Sequence, residues 1–600
     1  MKVTSCLPDL ESERMWSFWM KTAFFGLGIA LLGALYGGAE PKFGVLQYNL
    51  EGMPSTQGAL PLSVPGKGGN IRITITIDLY PLHATSFVAE PDDCIDTLAV
   101  DGVSVDDPAT HFCDTHIGRS VDLSHYLHTG RNILTFTIRD LGGDTGLNLR
   151  PDHFSTVELS LLCYALLLTV WYLFVIAKYW SLTDASPLVL FAVGTAVRVL
   201  YVLATPYTER SHDSGAHIDY VRYVAQNLGI PPANGGWEYH QAPLYYLLAG
   251  LWMKGQLLLG RTEQSIIGDL RVASLVLSIA TFAVALWIGR LLWWRRKQRP
   301  LFILFGGIVA TFPSLVYLSA RTYNDALYHL FAFLVVALLL RWWQSGRLRD
   351  WYLLIALASV AYLTKASGLL LVGGSFLSLA LYRKWRWRAK ATRAVLAGCV
   401  VLLLTGWYPA LRFVGESDHA KTLTFGNQGM SSGLSVSNRV TNFLTFNPLE
   451  ILRKPYNNPW DDSMRRQYFW EYLFRSAFFG EFSFPPALRS LSVLLLGIGM
   501  SLIPLGIYGL TADLRCRRGA CPPMLVIGGL LLAGALGYRV AFPYAPNQDF
   551  RFSVLLLIPA VYYALRGIEQ LRGSSKAAGQ ALTGLLAFLS GIFVLSLYLF

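Results

Sequence analysis

Asp213, His217 and Asp219 stand close together in the stretch 205–241, followed by Trp237, Glu238, Tyr239 and His240 at the entry to an apolar helix. Asp213 and His217 are four residues apart, so on a helix they share one face. A carboxylate at the edge of a membrane can serve as general base or metal ligand, with partial burial tuning its pKa. The competing reading is a set of ordinary solvated loop charges. Lys365 is a second signal, because it stands in a long apolar run with no acid nearby in sequence. A charge within a membrane segment costs roughly 2.5–3.5 kcal/mol, so it faces a cavity or a partner, and a phosphate group is one such partner. The competing reading is a lysine snorkelling from a helix break. Arg321-Thr322-Tyr323-Asn324-Asp325 and Asn547-Gln548-Asp549-Phe550-Arg551 each put an arginine near an aspartate at a helix turn. Arginine suits bidentate phosphate recognition; the alternative is an interfacial anchor paired to its own neighbour. Arg198 and Arg539 are weaker candidates. No Walker loop, dinucleotide fingerprint or H-E-x-x-H motif is present.

The elements that must position these residues are membrane spans. Of 600 residues 53% are hydrophobic and only 15% charged, with a mean hydropathy of +0.41, which excludes an ordinary soluble enzyme and a disordered chain. Apolar runs near 16–37, 157–178, 187–204, 272–294, 301–319, 327–343, 351–364, 367–382, 392–410, 488–511, 523–541, 553–571 and 580–600 predict about thirteen spans. Nineteen Lys and Arg residues fall in five short connections that hold only Asp350, Asp513 and Glu569 as acids. That asymmetry marks the cytoplasmic side, so the net charge of +12 reads as topology and not as a nucleic-acid surface. Keeping the alternation requires 243–259 to be a surface or re-entrant helix on the outer side. The N-terminus is then cytoplasmic, and 351–364 with 367–382 forms a short broken hairpin meeting near Lys365. The resulting plan is an N-terminal anchor at 1–37, an extracytoplasmic β domain at 38–155, and a membrane domain at 156–600 with outer loops at 205–271 and 411–487. The second loop, carrying Trp460, Asp461 and Asp462, is expected to act as a flexible cover.

Between 38 and 155 the pattern changes. Ile71, Ile73, Ile75 and Ile77 alternate with Arg72, Thr74 and Thr76, the period of a half-buried strand. Asp101-Gly102 reads as a hairpin turn, and 132–139 alternates again. Of seven cysteines only Cys94 and Cys113 fall in this region. In an oxidising compartment they suit a disulfide; otherwise they are two free thiols.

The sequence Asp213-Ser-Gly-Ala-His217-Ile-Asp-Tyr220, then Tyr239-His240-Gln241-Ala242-Pro243-Leu244-Tyr245-Tyr246, resembles the first outer loop of bacterial GT-C glycosyltransferases. These include protein O-mannosyltransferase-like enzymes and relatives that modify lipid A with aminoarabinose. Ser319-Ala-Arg321-Thr-Tyr-Asn324-Asp325, Tyr362-Leu-Thr364-Lys365-Ala-Ser367-Gly368 and Gln548-Asp-Phe-Arg551-Phe extend the likeness over about 187–600. Ser214 stands where the family has Glu, and Ala242 where it has the first Pro of a pair. The missing Glu leaves the metal question open, so a divalent ion is compatible with the sequence but not required. The β region, through 96–102 and 121–134, resembles galactose-binding-like jelly rolls. The resemblance implies an inverting transfer of a sugar from a polyprenyl-phosphate donor to a protein, lipid or glycan acceptor outside a bacterial inner membrane. Asp213 would take the acceptor's proton, and Lys365, Arg321 and Arg551 would hold the donor phosphate. His217, His240, Tyr245, Asn324 and Asp325 would line the substrate. A transporter or flippase of lipid-linked sugars, without chemistry, is the alternative.

Overall fold

Alternating isoleucines build the first part of the chain. In a computed structural model, Ile71, Ile73, Ile75 and Ile77 are each at most 2% exposed, and each buried side chain stabilises by roughly 1.5–3 kcal/mol. The structure describes residues 42–50, 54–58, 60, 62–65, 69–79, 85–91, 93–107, 110–113, 119–140, 144–151, 186–205, 207, 209–210, 213–259, 261, 263–294, 298–415, 432–516 and 521–597, with isolated positions at 21, 24, 28, 32, 160, 164, 168 and 171. Apart from those isolated positions, the expected spans at 16–37 and 157–178 lie outside the described residues. The chain divides into two units, Met1–Thr183 and Asp184–Phe600.

Among the described residues of the first unit eleven strands form two antiparallel sheets. They are β1 (Lys42–Leu50), β2 (Thr56–Gly58), β3 (Leu62–Pro65), β4 (Gly69–Leu79), β5 (Ser86–Pro91), β6 (Cys94–Val100), β7 (Val103–Ser104), β8 (Phe112–Cys113), β9 (Arg119–Asp122), β10 (Gly130–Asp140) and β11 (Asp144–Pro151). The larger sheet runs β2-β1-β4-β10-β6-β7 with β8 also on β6, and the smaller runs β3-β11-β5-β9. Ile73, Ile75, Leu134 and Phe136 of the first share one core with Leu62, Phe87, Val121 and Leu147 of the second, which makes the unit a sandwich. Asp101 and Gly102 turn β6 into β7 with φ of 50° and 82°, the left-handed pair that a two-residue hairpin needs. Cys94 and Cys113 face each other in register and are joined by a disulfide.

The second unit is helical: α1 (Ser186–Ala204), α2 (Ser214–Asn227), α3 (Leu244–Leu258), α4 (Glu263–Trp293), α5 (Arg299–Thr311), α6 (Pro313–Tyr317), α7 (Asp325–Ser345), α8 (Leu348–Thr364), α9 (Gly368–Leu381), α10 (Trp387–Thr405) and α11 (Trp407–Gly415). After the segment 416–431, α12 (Val440–Leu444), α13 (Pro448–Arg453), α14 (Phe469–Phe479), α15 (Arg489–Cys516), α16 (Cys521–Ala541), α17 (Leu557–Gln570) and α18 (Gly573–Ser596) complete it. Among the described residues seven helices are long and apolar enough to cross a membrane, or nine if each of two bent pairs counts as one span. The chain is a polytopic α-helical membrane protein with a separate β unit, but the count of thirteen is not reproduced. Two of the thirteen lie outside the described residues, and the rest of the shortfall has a geometric cause. The pairs at 299–320 and 387–413 bend by 51° and 52°, while α8 and α9 have 17 and 14 residues, and about 20 are needed to span. Helix α3, with 15 residues, is also short of a span and packs its Tyr246, Ala249 and Met253 against α2.

Buried polar groups brace this unit. Each acid of the basic connections meets an arginine: Asp350 with Arg341 at 3.0 Å, Asp513 with Arg566 at 2.7 Å, and Glu569 with Arg566. Arg198, fully buried, donates to Ser278 and to the carbonyls of Gly194, Val309 and Ala310. Arg539 holds Asn438 and the Ser437 carbonyl. Both of these weaker sequence candidates are structural braces. Helices α15 and α17 touch backbone to backbone, since a Cβ on Gly567 would lie 2.0 Å from the Leu505 carbonyl and one on Gly509 2.0 Å from that of Tyr563. Small residues permit such close approach.

The break between α8 and α9 positions Lys365. That residue is extended, at φ −154° and ψ 138°, and the chain turns back at once, with Gly368 N–H donating to the Lys365 carbonyl. A Cβ on Gly368 would lie 2.3 Å from the Tyr362 nitrogen, and backbone cannot yield there. Gly368→Ala is therefore expected to destabilise the protein by about 1–3 kcal/mol, seen as a lower thermal midpoint in detergent. Gly373→Ala, on the same helix with nothing within 4 Å of the new methyl, is expected to leave the midpoint unchanged or raise it.

Candidate functional site

Lys365 needs a partner, and it finds one forty residues upstream: its ammonium donates to the Asp325 carboxylate. Asp325 is 3% and Lys365 9% exposed. Asp325 opens α7, where the helix N-terminus favours negative charge. Asn324, just before it, donates to the Thr364 carbonyl at 3.1 Å and to Gln241 at 3.3 Å, tying the break to the loop before α3. Arg321 is buried, donates to the Arg210 carbonyl at 3.1 Å, and lies between the rings of Tyr323 and Phe482.

A second cation approaches the same place. Arg551 lies in the 3-10 segment Phe550–Leu556 ahead of α17, its guanidinium 4.7 Å from the centre of the Phe552 ring. The Lys365 ammonium lies 5.0 Å from the centre of that ring. The Arg551 Nε is buried without a hydrogen-bond partner. Asp549 turns this segment by accepting from the Arg551 backbone N–H at 2.9 Å. Glu481, after α14, accepts from the Tyr472 hydroxyl. Burial, helped by the neighbouring Asp549 charge, pushes the Glu481 carboxyl up to about 7, against the pull of Arg551.

Asp213 borders this cluster. Its carboxylate is one of the charges acting on Glu481 and on Arg551, and it accepts from the Trp237 indole N–H at 3.1 Å. It caps α2 in the left-handed region at φ 56°, a conformation that aspartate tolerates better than most residues. One turn into α2, His217 is buried, 2.6 Å from the Tyr246 hydroxyl. It belongs to a column of parallel rings, Tyr323–His217–Tyr246–Tyr220, with centroid spacings of 4.7, 5.9 and 3.9 Å. Burial lowers the His217 imidazole to about 4, while Glu238, Asp325, Lys365 and Arg551 all act on it. The ring is thus neutral near pH 7. His240, Nδ1 3.1 Å from the Trp237 carbonyl, is likewise lowered to about 4 by burial.

The structure thus gathers Asp213, His217, Asn324, Asp325, Lys365, Arg321 and Arg551 around one centre, with His240 at its edge near Asp213. Tyr245 stands apart from the charged groups, packed at right angles on Tyr246 in the apolar cluster between α2 and α3; Tyr246 is the ring that reaches His217. Asp219 pairs with Arg222 at the surface. Of the segment expected to cover the site, 416–431 lies outside the described residues. The described part, 432–488, is cross-braced by Glu471 with Arg465 and by Arg475 donating to the carbonyls of Lys454, Tyr456 and Met464. It is also strapped to the Arg551 segment by Gln548 on the Arg466 carbonyl and by Ser476 on the Phe550 N–H. Trp460, Asp461 and Asp462 form a surface turn of this body.

The sequence leaves four contributors without a role: Glu481, and Glu238, Tyr246 and Tyr323, which stand within the motifs named above. The one signal for Glu481 is that it is a lone acid in an aromatic run, 478–484. Among the described residues no three His, Cys, Asp or Glu side chains are arranged to hold a metal ion.

No protein-family model matches the chain, and no curated protein is similar to it in sequence. Among solved structures the chain is similar to ArnT from Cupriavidus metallidurans bound to undecaprenyl phosphate, at 15% identity and a TM-score of 0.42 over 66% of this chain. The match spans 62% of the length of that ArnT chain. It is also similar to the arabinosyltransferase EmbB from Mycobacterium smegmatis, at 12% identity and a TM-score of 0.35, covering 98% of this chain and 64% of the other.

Two outcomes follow from the electrostatics. Removing one partner of a buried ion pair strands the other, so Asp325→Leu or Lys365→Met alone is expected to cost about 3–5 kcal/mol. The double variant is expected to recover most of that loss in equilibrium unfolding. A carboxyl raised by folding stabilises below its unfolded value and loses that contribution as pH rises through about 7. Between pH 5 and 8 the thermal midpoint of the wild type should therefore fall relative to that of Glu481→Gln; parallel curves would contradict the assignment.

Proposed function

We propose that the chain is a membrane glycosyltransferase that moves a sugar from a polyprenyl-phosphate donor to an extracytoplasmic acceptor with inversion. The observation that carries this reading is one cluster that combines an exposed carboxylate, Asp213, with a buried lysine, Lys365, and a half-buried arginine, Arg551, at the ends of apolar helices. The motif resemblance over 187–600 supports it. In the reaction the acceptor oxygen bonds to the anomeric carbon, the bond from that carbon to phosphate breaks, and its electron pair leaves on the phosphate oxygen. The acceptor's proton passes to Asp213.

Leaving-group charge is stabilised best by fixed cations in a poorly hydrated site. Asp325 takes one of the three donors of Lys365 and aims the remainder, while Arg321 and Arg551 add planar donors. Below pH 7 a protonated Glu481 leaves more of the Arg551 charge uncompensated, which favours an anionic donor. His217, Asn324 and Asp325 hold the walls of the site, His240 lies at its mouth, and the braced segment 432–488 limits competition from water.

The site, on this reading, faces the outside of a bacterial inner membrane, with the N-terminus and the basic connections in the cytoplasm. The segments 1–37, 38–155 and 156–600 serve as anchor, external β domain and catalytic domain. The donor sugar is a hexose or pentose, and the acceptor is a protein, lipid or glycan.

Reconstituted protein is expected to convert a member of a panel of farnesyl-phosphate-linked mannose, arabinose and aminoarabinose into glycoside and free prenyl phosphate. Asp213→Asn should lower kcat by about 10²–10⁴-fold, and Arg551→Met or Lys365→Met by about 10²–10³-fold. Normal turnover in Asp213→Asn and Lys365→Met would remove this site. Movement of the lipid across vesicles without product would indicate a flippase.

A further inference from the structure

We infer that Trp237 is a sugar-binding platform that also orients Asp213, an inference that rests on the transferase reading above. Trp237 follows Gly235 and Gly236 in a turn filled from within by Tyr239, whose ring would lie 2.9 Å from a Cβ on Gly236. The residue is held at two points. Its indole Nε1 donates to Asp213 Oδ1 at 3.1 Å, and its carbonyl lies 3.1 Å from His240 Nδ1. Held in this way, Trp237 remains 40% exposed.

A tryptophan of an interfacial belt turns its N–H to water or headgroups. Here that N–H is committed to a carboxylate, so what remains open is an aromatic surface fixed beside Asp213. The negative π face of an indole attracts partly positive C–H groups. A sugar ring presents such C–H groups on one face and hydroxyls around its edge, for which the adjacent carboxylate is an acceptor. A prenyl or acyl chain would match the ring but not the carboxylate. The surface and the acid together fit a sugar ring, either that of the donor or that of a glycan acceptor. Trp237 is accordingly a ligand-binding residue through its ring and a positioning residue through its N–H.

Steady-state kinetics on the reconstituted full chain, with donor and acceptor varied separately, separate these roles. Trp237→Leu is expected to raise KM by roughly 10-fold, the size of one aromatic contact, for whichever substrate carries the stacked sugar. A KM effect on donor alone or on acceptor alone identifies the source; unchanged KM for both overturns the platform. Trp237→Phe keeps a ring but loses the N–H, and is expected to hold KM within about 3-fold while kcat falls about 10-fold, as befits a lost hydrogen bond to a charged group. Unchanged kcat in Trp237→Phe overturns the positioning role, and a thermal midpoint equal to that of wild type checks that each variant folds. Saturation-transfer NMR with methyl mannoside and methyl arabinoside reads sugar contact without turnover. If the wild type transfers nothing, the transferase reading fails. The platform then stands on a transfer signal present in wild type and absent in Trp237→Leu, and it falls if the two signals are alike or neither protein gives one.

Discussion

An ammonium group surrounded by membrane helices is tolerable only when another group neutralises it, and the Lys365–Asp325 pair is the constraint around which the second unit is arranged. Satisfying it requires α8 to stop where it does, the chain to turn back within three residues, and α7 to begin beside the break. Gly368 allows the turn because no side chain fits against the Tyr362 backbone. Asn324 then fastens the pair to the loop that carries Trp237 and His240. The same constraint delivers a charged group to one end of the bundle without exposing it to lipid.

Around this pair the charges fall into two kinds. Asp325 and Asp549 are buried, Glu481 is half-buried, and all three are engaged by neighbours, whereas Asp213 is exposed and held by a single indole N–H. Chemistry needs the second kind and stability the first. The stacked rings from Tyr323 to Tyr220 supply a stiff wall that contains a neutral imidazole, so the cations beyond it meet no competing positive charge. The segment 432–488 is braced by arginines that bond to backbone carbonyls.

Several features were legible in the sequence for physical reasons. The strands declared themselves by a period of two at Ile71–Ile77, and a lone lysine in an apolar run demanded a partner. The identity of that partner was not legible, because forty residues separate it and only tertiary packing joins them. The choice between Tyr245 and Tyr246 was hidden as well: adjacent residues point about 100° apart on a helix, and only the docking of α3 on α2 decides which faces the site. Glu481 gave no motif, and its role emerges from enclosure by residues of α14 and the Arg551 segment. The number of spans was not settled by hydropathy, because bent and short helices such as α8 and α9 carry apolar surface without the length of a full crossing.

Helices α15 and α17, in contact at their glycines, act as one strut. At one end this strut is closed by Asp513 with Arg566 and Tyr562, and at the other it continues into the 3-10 segment bearing Arg551. The intervening helix is about 20 Å long at 1.5 Å per residue. Arg551 therefore sits on a strut pinned at both ends, by Asp513 at one and by the Gln548 and Ser476 hydrogen bonds at the other, so parts of the chain distant in sequence jointly set where the guanidinium lies.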